Sequence, residues 1–214
     1  MQKYISEFIG TFILLVSIVG SGIAGQQYTN DQMVILVSHA VVIGLTLIFI
    51  IGIFANFSGA HFNPIVSILF FLQKELSLKD LCLYISIQIT AAILGTIFAN
   101  YIFGLSIVEI SSNIRSGTNI YISEVFASFG LLMVILLSKV GGKNIVAFNV
   151  GIYITAAIIF TSSASFANPA VSIARIFTES FAGINPSTVI FFIGSQVIGM
   201  FGAYFLYNRL FKTK

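Results

Sequence analysis

Residues 165 to 175 read SFANPAVSIAR, and the Asn-Pro pair inside this long apolar run decides the fold. Proline is tolerated at the first position of a helix, where its missing N–H is not needed, and the asparagine before it is a good N-cap. Asn168-Pro169 therefore starts a helix, and so does Asn63-Pro64 in the partner stretch SGAHFNPIVS, residues 58 to 67. Each begins about ten mostly apolar residues, which at about 1.5 Å per residue span about 15 Å, half a bilayer core. Two such half-helices can meet end to end at the midplane. A third pair, Asn185-Pro186, simply opens a long apolar run. What sets the other two apart is a small, polar lead-in, Ser58 to His61 in one and Thr161 to Ser165 in the other. Such non-helical backbone survives in a membrane only if it is buried in protein or lines a wet cavity. The two stretches are read as a re-entrant pore pair.

The rest of the chain supplies the membrane setting. Apolar runs spread over all 214 residues, 57% of which are hydrophobic and only 8% charged, with a mean hydropathy of +1.03. This is an integral membrane protein. The first apolar run lacks a small-residue cleavage pattern and further spans follow, so it is read as a span and not as a signal peptide. Cys82 is the one cysteine, which excludes an internal disulfide and a multi-cysteine metal site. It reads as a small apolar helix residue. No cofactor, no metal and no nucleic-acid partner is expected.

Residues 4 to 24, 33 to 56, 80 to 104, 119 to 138, 145 to 163 and 187 to 208 are each long and apolar enough to cross about 30 Å of hydrocarbon. Between Asp31 and Lys74 lie 42 residues with no charged side chain apart from two histidines. As helix they would extend about 60 Å, too long for one crossing, so they are read as one crossing plus a returning half-helix. The 31 residues between Lys143 and Arg175 repeat the pattern. Cytoplasmic loops are enriched in Lys and Arg. Lys3, Lys74, Lys79, Lys139, Lys143, Arg209, Lys212 and Lys214 fall on one side of the six-span arrangement and Arg115 and Arg175 on the other. Both termini are therefore placed in the cytoplasm of a cell-membrane protein.

The halves repeat. EFIGTFILL from Glu7 is like EVFASFGLL from Glu124, and QITAAILG from Gln88 is placed like QVIGMFGA from Gln196. Three spans per half is odd, so the second copy is inverted: one domain over 1–214, with repeats at about 1–105 and 119–214. Inverted repeats with discontinuous helices at their interface are a transport architecture. Ala91, Ala92, Gly95, Gly199 and Gly202 are read as close helix packing.

With these features assembled, the sequence resembles the aquaporin and glycerol-facilitator family, the major intrinsic proteins. Asn63-Pro64-Ile65 matches the first family signature with Ile65 in place of the usual Ala, and Asn168-Pro169-Ala170 matches the second in full. The resemblance implies an all-α bundle of six spans and two half-helices, a homotetramer in the lipid bilayer, one pore per subunit, no enzymatic activity, and passive flow of water or small uncharged solutes. It also implies that Glu7 and Glu124 accept hydrogen bonds from the re-entrant loops, with His61 beside the first signature. An arginine usually follows the second signature as part of the outer filter, whereas Val171 stands here. Counting from the signatures gives Ile43, Ala156, Ser165 and Val171 as the filter, a set that is small or aliphatic and uncharged. A wider constriction is expected, passing glycerol-like polyols. A similar arginine-to-valine change occurs in a bacterial branch associated with arsenic resistance, which adds arsenous acid and related neutral metalloids.

In such a channel the Asn63 and Asn168 amides would donate to solute oxygens at the midplane, loop carbonyls would accept, and the half-helix N-termini would repel cations. Arg175, four residues past Val171, has two readings: a displaced charge at the outer mouth, or a solvated partner of Glu179. His61 reads equally as a satisfied loop histidine, and His39 as structural. The competing class is an ion-coupled secondary transporter with Glu7 and Glu124 as its proton relay. A membrane enzyme fits poorly, since no second histidine, cysteine or carboxylate lies near either asparagine to build a catalytic group.

Overall fold

The computed structural model describes residues 1–211. Lys212 and Lys214, counted above among the cytoplasmic cations, lie outside the described residues. Eight α-helices follow in order: α1 (Gln2–Tyr28), α2 (Gln32–Phe54), α3 (Pro64–Leu72), α4 (Leu78–Ile102), α5 (Thr118–Ser138), α6 (Lys143–Phe160), α7 (Pro169–Ala174) and α8 (Pro186–Leu210). Six are long and apolar enough to cross a membrane; α3 and α7 are the half-helices. All three Asn-Pro pairs start helices. Asn63, Asn168 and Asn185 each cap with the side-chain oxygen, which accepts from Ile65 N, from Ala170 N and from Ser187 N respectively.

Within each half the first and third spans pack together, α1 on α4 and α5 on α8, while α2 packs on α6 across the halves. The glycines explain how closely. A Cβ on Gly95 would stand 2.6 Å from the Phe12 carbonyl oxygen, and one on Gly199 would stand 2.4 Å from that of Val125. These are equivalent crossings in the two repeats, and at both the backbones meet where a larger residue would not fit.

Two boundaries differ from the sequence reading. Helix α6 ends at Phe160 and not at 163, because Thr161 is already extended. Helix α7 has six residues where about ten were expected, and a 3-10 turn, Arg175–Phe177, follows it. The chain stops being helical there because other segments take its carbonyls: Ile184 N donates to Arg175 O at 3.2 Å and Ser111 N to Ile176 O at 2.8 Å. The 111–115 stretch of the long α4–α5 connection is thereby laid along residues 176–185. Arg115 adds two bonds, to the carbonyls of Gly183 and Phe181, and Ser112 donates to Glu179 through both its N–H and its hydroxyl. Those two donors hold the Glu179 carboxyl below the usual glutamate range, so this anchor survives to lower pH than an ordinary glutamate would allow.

Candidate pore

The two lead-in loops share one backbone design. Residues four, three and one before each asparagine are left-handed: Gly59, Ala60 and Phe62 before Asn63, and Ala164, Ser165 and Ala167 before Asn168, all with φ between 44° and 85°. Five of the six carry a Cβ. That conformation costs about 1–3 kcal/mol for each such residue and persists only where the surroundings over-determine it.

The surroundings are two buried carboxylates. Glu7 on α1 accepts from the N–H groups of His61 and Phe62, at 2.9 and 2.8 Å, and from the Ser58 hydroxyl and the Gln88 amide. Glu124 on α5 accepts from the N–H groups of Phe166 and Ala167, at 3.2 and 2.6 Å, and from the Gln196 amide. Gln88 and Gln196 donate in turn to Ser67 and Ser172, whose hydroxyls bond the Asn63 and Asn168 carbonyls. Each carboxylate fixes the N–H groups of its loop from behind, while the Phe62 and Ala167 carbonyls are turned to the opposite loop's asparagine. Neither glutamate borders the cavity described below, and both are fully buried.

Each asparagine reaches across the pseudo-twofold axis. The Asn63 side-chain amide donates to Ala167 O at 2.7 Å, and that of Asn168 to Phe62 O at 2.8 Å. A side-chain amide has two N–H donors. One is used on the opposite loop, leaving one on each asparagine for a molecule in the cavity that both residues line.

That cavity, about 550 Å³, is continuous from a lysine-bearing end to an arginine-bearing end. One wall is the two lead-in loops and the other is apolar, including Leu47 and Ile51 from α2 and Val150 and Ile154 from α6. At the first end the ion pairs Lys3–Asp80, at 2.8 Å, and Lys139–Glu75, at 2.6 Å, flank the opening. His61 lies just inside, with Nδ1 3.1 Å from the Ser67 hydroxyl and its ring against Phe70 at 4.6 Å. The second repeat builds the same contact from different chemistry: two residues before and seven after its asparagine stand Phe166 and Arg175, and the guanidinium lies 3.5 Å from the ring centroid.

The sequence-derived filter positions divide. Ile43, Ser165 and Val171 line the cavity, although the Ser165 hydroxyl is enclosed and has no protein partner among the described residues. Ala156 does not line it. It is exposed on the outside of the bundle, in a shallow apolar groove with Val41 and Ile152, and α6 presents Ile154 and Ile158 to the cavity instead. Pro64, Ile65, Pro169 and Ala170 are buried behind the wall, so the Ile65 departure from the family signature does not change the pore surface. The pairing of Arg175 with Glu179 is also overturned. Arg175 is 4% exposed, its Nε donates to Ala182 O, and Glu179 is occupied by Ser112. Spacing of four residues brings side chains together only on a continuous helix, and this one ends between them. His39, read as structural, lines the arginine-bearing end of the cavity.

The sequence profile of the major intrinsic proteins matches residues 1–165. The chain belongs to that family. The channel is 39% identical over 198 residues to the aquaglyceroporin AqpS of Rhizobium meliloti, covering 92% of this chain and 85% of that protein. It is 28% identical over 137 residues to nodulin-26 of Glycine max, a match that covers 63% of this chain and half of the relative. Its fold is like that of the aquaglyceroporin from Plasmodium falciparum, with a TM-score of 0.70 at 23% identity over 98% of this chain and 96% of the other. As a major intrinsic protein it is a passive membrane channel for water and small solutes, and not an enzyme.

Proposed function

We propose that this channel passes small uncharged hydroxyl solutes as well as water: glycerol-like polyols, and neutral metalloid hydroxides such as arsenous acid. The observation that carries this is that Ile43 and Val171, the latter where the family usually places an arginine, line the cavity with uncharged aliphatic side chains, joined from α6 by Ile154 and Ile158 one turn apart. Apolar walls admit the carbon side of a polyol, while the free amide N–H of Asn63 and Asn168 and the loop carbonyls replace its hydration one bond at a time. The similarity to a relative named an aquaglyceroporin supports the same reading. The buried position of Glu7 and Glu124, saturated by backbone and amide donors, disfavours a proton relay and with it ion-coupled transport.

The lysine-bearing end is the cytoplasmic one by the distribution of basic residues, which places both termini inside the cell. The family resemblance implies a homotetramer, each chain a single domain of two repeats carrying its own pore. Stopped-flow comparison of water, glycerol and arsenous acid in vesicles tests the solute range. All three should cross well above the background of empty vesicles; a channel passing water alone would contradict the proposal.

Val171→Arg should then narrow the cavity. Glycerol flux is expected to fall about tenfold relative to water, the discrimination that about 1.4 kcal/mol of added barrier gives. An unchanged glycerol-to-water ratio would remove residue 171 from the constriction. Mercurials should inhibit little, because Cys82 is exposed near the start of α4 and does not border the cavity. Strong block relieved by Cys82→Ser would contradict that placement.

A further inference from the structure

The cavity continues past Ile43 and Val171 on the arginine-bearing side. On α2, His39 lies four residues before Ile43; just past the end of the second half-helix, Arg175 lies four residues after Val171. Helix α2 starts at this end, whereas α7 starts at the midplane, so both steps lead in the same direction, by about 6 Å each. His39 and Arg175 line the same cavity, and they are only 3% and 4% exposed.

Both side chains are held from behind, with polar atoms left over in front. His39 Nδ1 stands 2.8 Å from the Ser21 hydroxyl, which itself donates to Ile18 O at 3.2 Å. A hydroxyl has one proton to give. In the tautomer that leaves the Ser21 proton on Ile18 O, Nδ1–H is the donor to Ser21 and Nε2 is the acceptor facing the cavity; Nε2 has no hydrogen bond to protein among the described residues. Arg175 uses Nε on Ala182 O and lays its plane on Phe166, while its Nη groups make no hydrogen bond and no ion pair among the described residues. One short segment supports both, since the His39 ring is set edge-on against Phe181 with centroids 5.6 Å apart, next to the Ala182 that holds Arg175.

We infer that His39 and Arg175, one turn outside Ile43 and Val171, form a second selectivity station, which takes one hydroxyl group of a neutral solute. The solute oxygen accepts from the Arg175 Nη donors and its O–H donates to His39 Nε2. A small cation meets the unpaired guanidinium and is turned back, so the charge missing at Val171 is supplied by this station. The inference rests on the proposed neutral-solute channel and specifies where its polar recognition lies.

The test uses the full chain in proteoliposomes, with glycerol and water flux measured for wild type, His39→Leu, His39→Gln, Arg175→Met and the His39→Leu/Arg175→Met double variant. Losing one hydrogen bond to the solute should lower glycerol permeability about threefold to tenfold in His39→Leu, with a smaller fall for water. His39→Gln, which keeps a polar acceptor, should recover most of the loss. Arg175→Met should raise cation leak, and the double variant should fall short of the product of the two single glycerol effects, because both residues serve one hydroxyl. Should Arg175→Met fail to fold, the two His39 variants carry the test alone. An unchanged glycerol-to-water ratio in His39→Leu overturns the station and leaves the channel standing. Absence of downhill glycerol flux in the wild type removes the proposed solute range and the station with it.

Discussion

Glu124→Ala should yield almost no folded channel. The substitution leaves the N–H groups of Phe166 and Ala167 and the Gln196 amide without their acceptor in a fully buried site. Each buried donor left unsatisfied costs about 1–3 kcal/mol. The same loop holds Ala164, Ser165 and Ala167 in the left-handed region, which the backbone keeps only while those N–H groups are fixed. Several kcal/mol is comparable to the whole stability of many proteins. Glu124→Gln keeps the shape and one acceptor oxygen, so it should be recovered in larger amount, with reduced flux. The measurement is the yield of monodisperse protein in detergent together with its thermal midpoint. Glu7→Ala should behave alike, because Glu7 does the same for His61 and Phe62 in the other repeat. If both alanine variants fold and conduct normally, the loops are held by something other than these carboxylates.

Asn63→Asp and Asn168→Asp should each reduce solute flux at least tenfold or make the pore leak cations. In the native chain the asparagine amides donate to Ala167 O and Phe62 O at 2.7 and 2.8 Å. A carboxylate oxygen at either place would face a carbonyl oxygen at hydrogen-bond distance with no proton between them, and it would bring a negative charge to the cavity wall where the two loops meet. The exchange removes the donor to the opposite loop and the free donor to the solute together. A factor of ten corresponds to about 1.4 kcal/mol of barrier, within the range expected for losing a hydrogen bond and leaving its partner unpaired. Flux assays alongside membrane conductance separate the two forms of failure. Wild-type flux and wild-type ion exclusion in both variants would take the asparagines out of the pore.

Most of the architecture was legible because it rests on strong local signals. Six apolar runs, three Asn-Pro caps and two small polar lead-ins fix where helices begin, and an odd number of spans per half forces the inversion. What was not legible depends on phase across irregular backbone. The α6 position expected at the filter is separated from Asn168 by a loop whose length has no period. On a helix an error of two residues turns a side chain by about 200°. Ala156 accordingly faces outward, while Ile154 and Ile158, two residues to either side, face the cavity. His39 carried a usable signal, since it is one turn from Ile43 on the same face of α2, but a single histidine on an apolar helix gives no sign of what stands opposite it. Arg175 went the other way. Its spacing to Glu179 suggested a helical pair, and only the folded loop shows α7 ending at Ala174 and the guanidinium turned onto Phe166.

The channel reading is tested most directly by following glycerol movement into proteoliposomes with and without an imposed pH gradient or sodium gradient. A passive pore lined by neutral amides, with its two buried glutamates sealed behind the wall, predicts flux that follows the glycerol gradient alone and stops when that gradient is gone. Accumulation of glycerol against its own gradient, driven by protons or sodium, would contradict it and return Glu7 and Glu124 to the transport path.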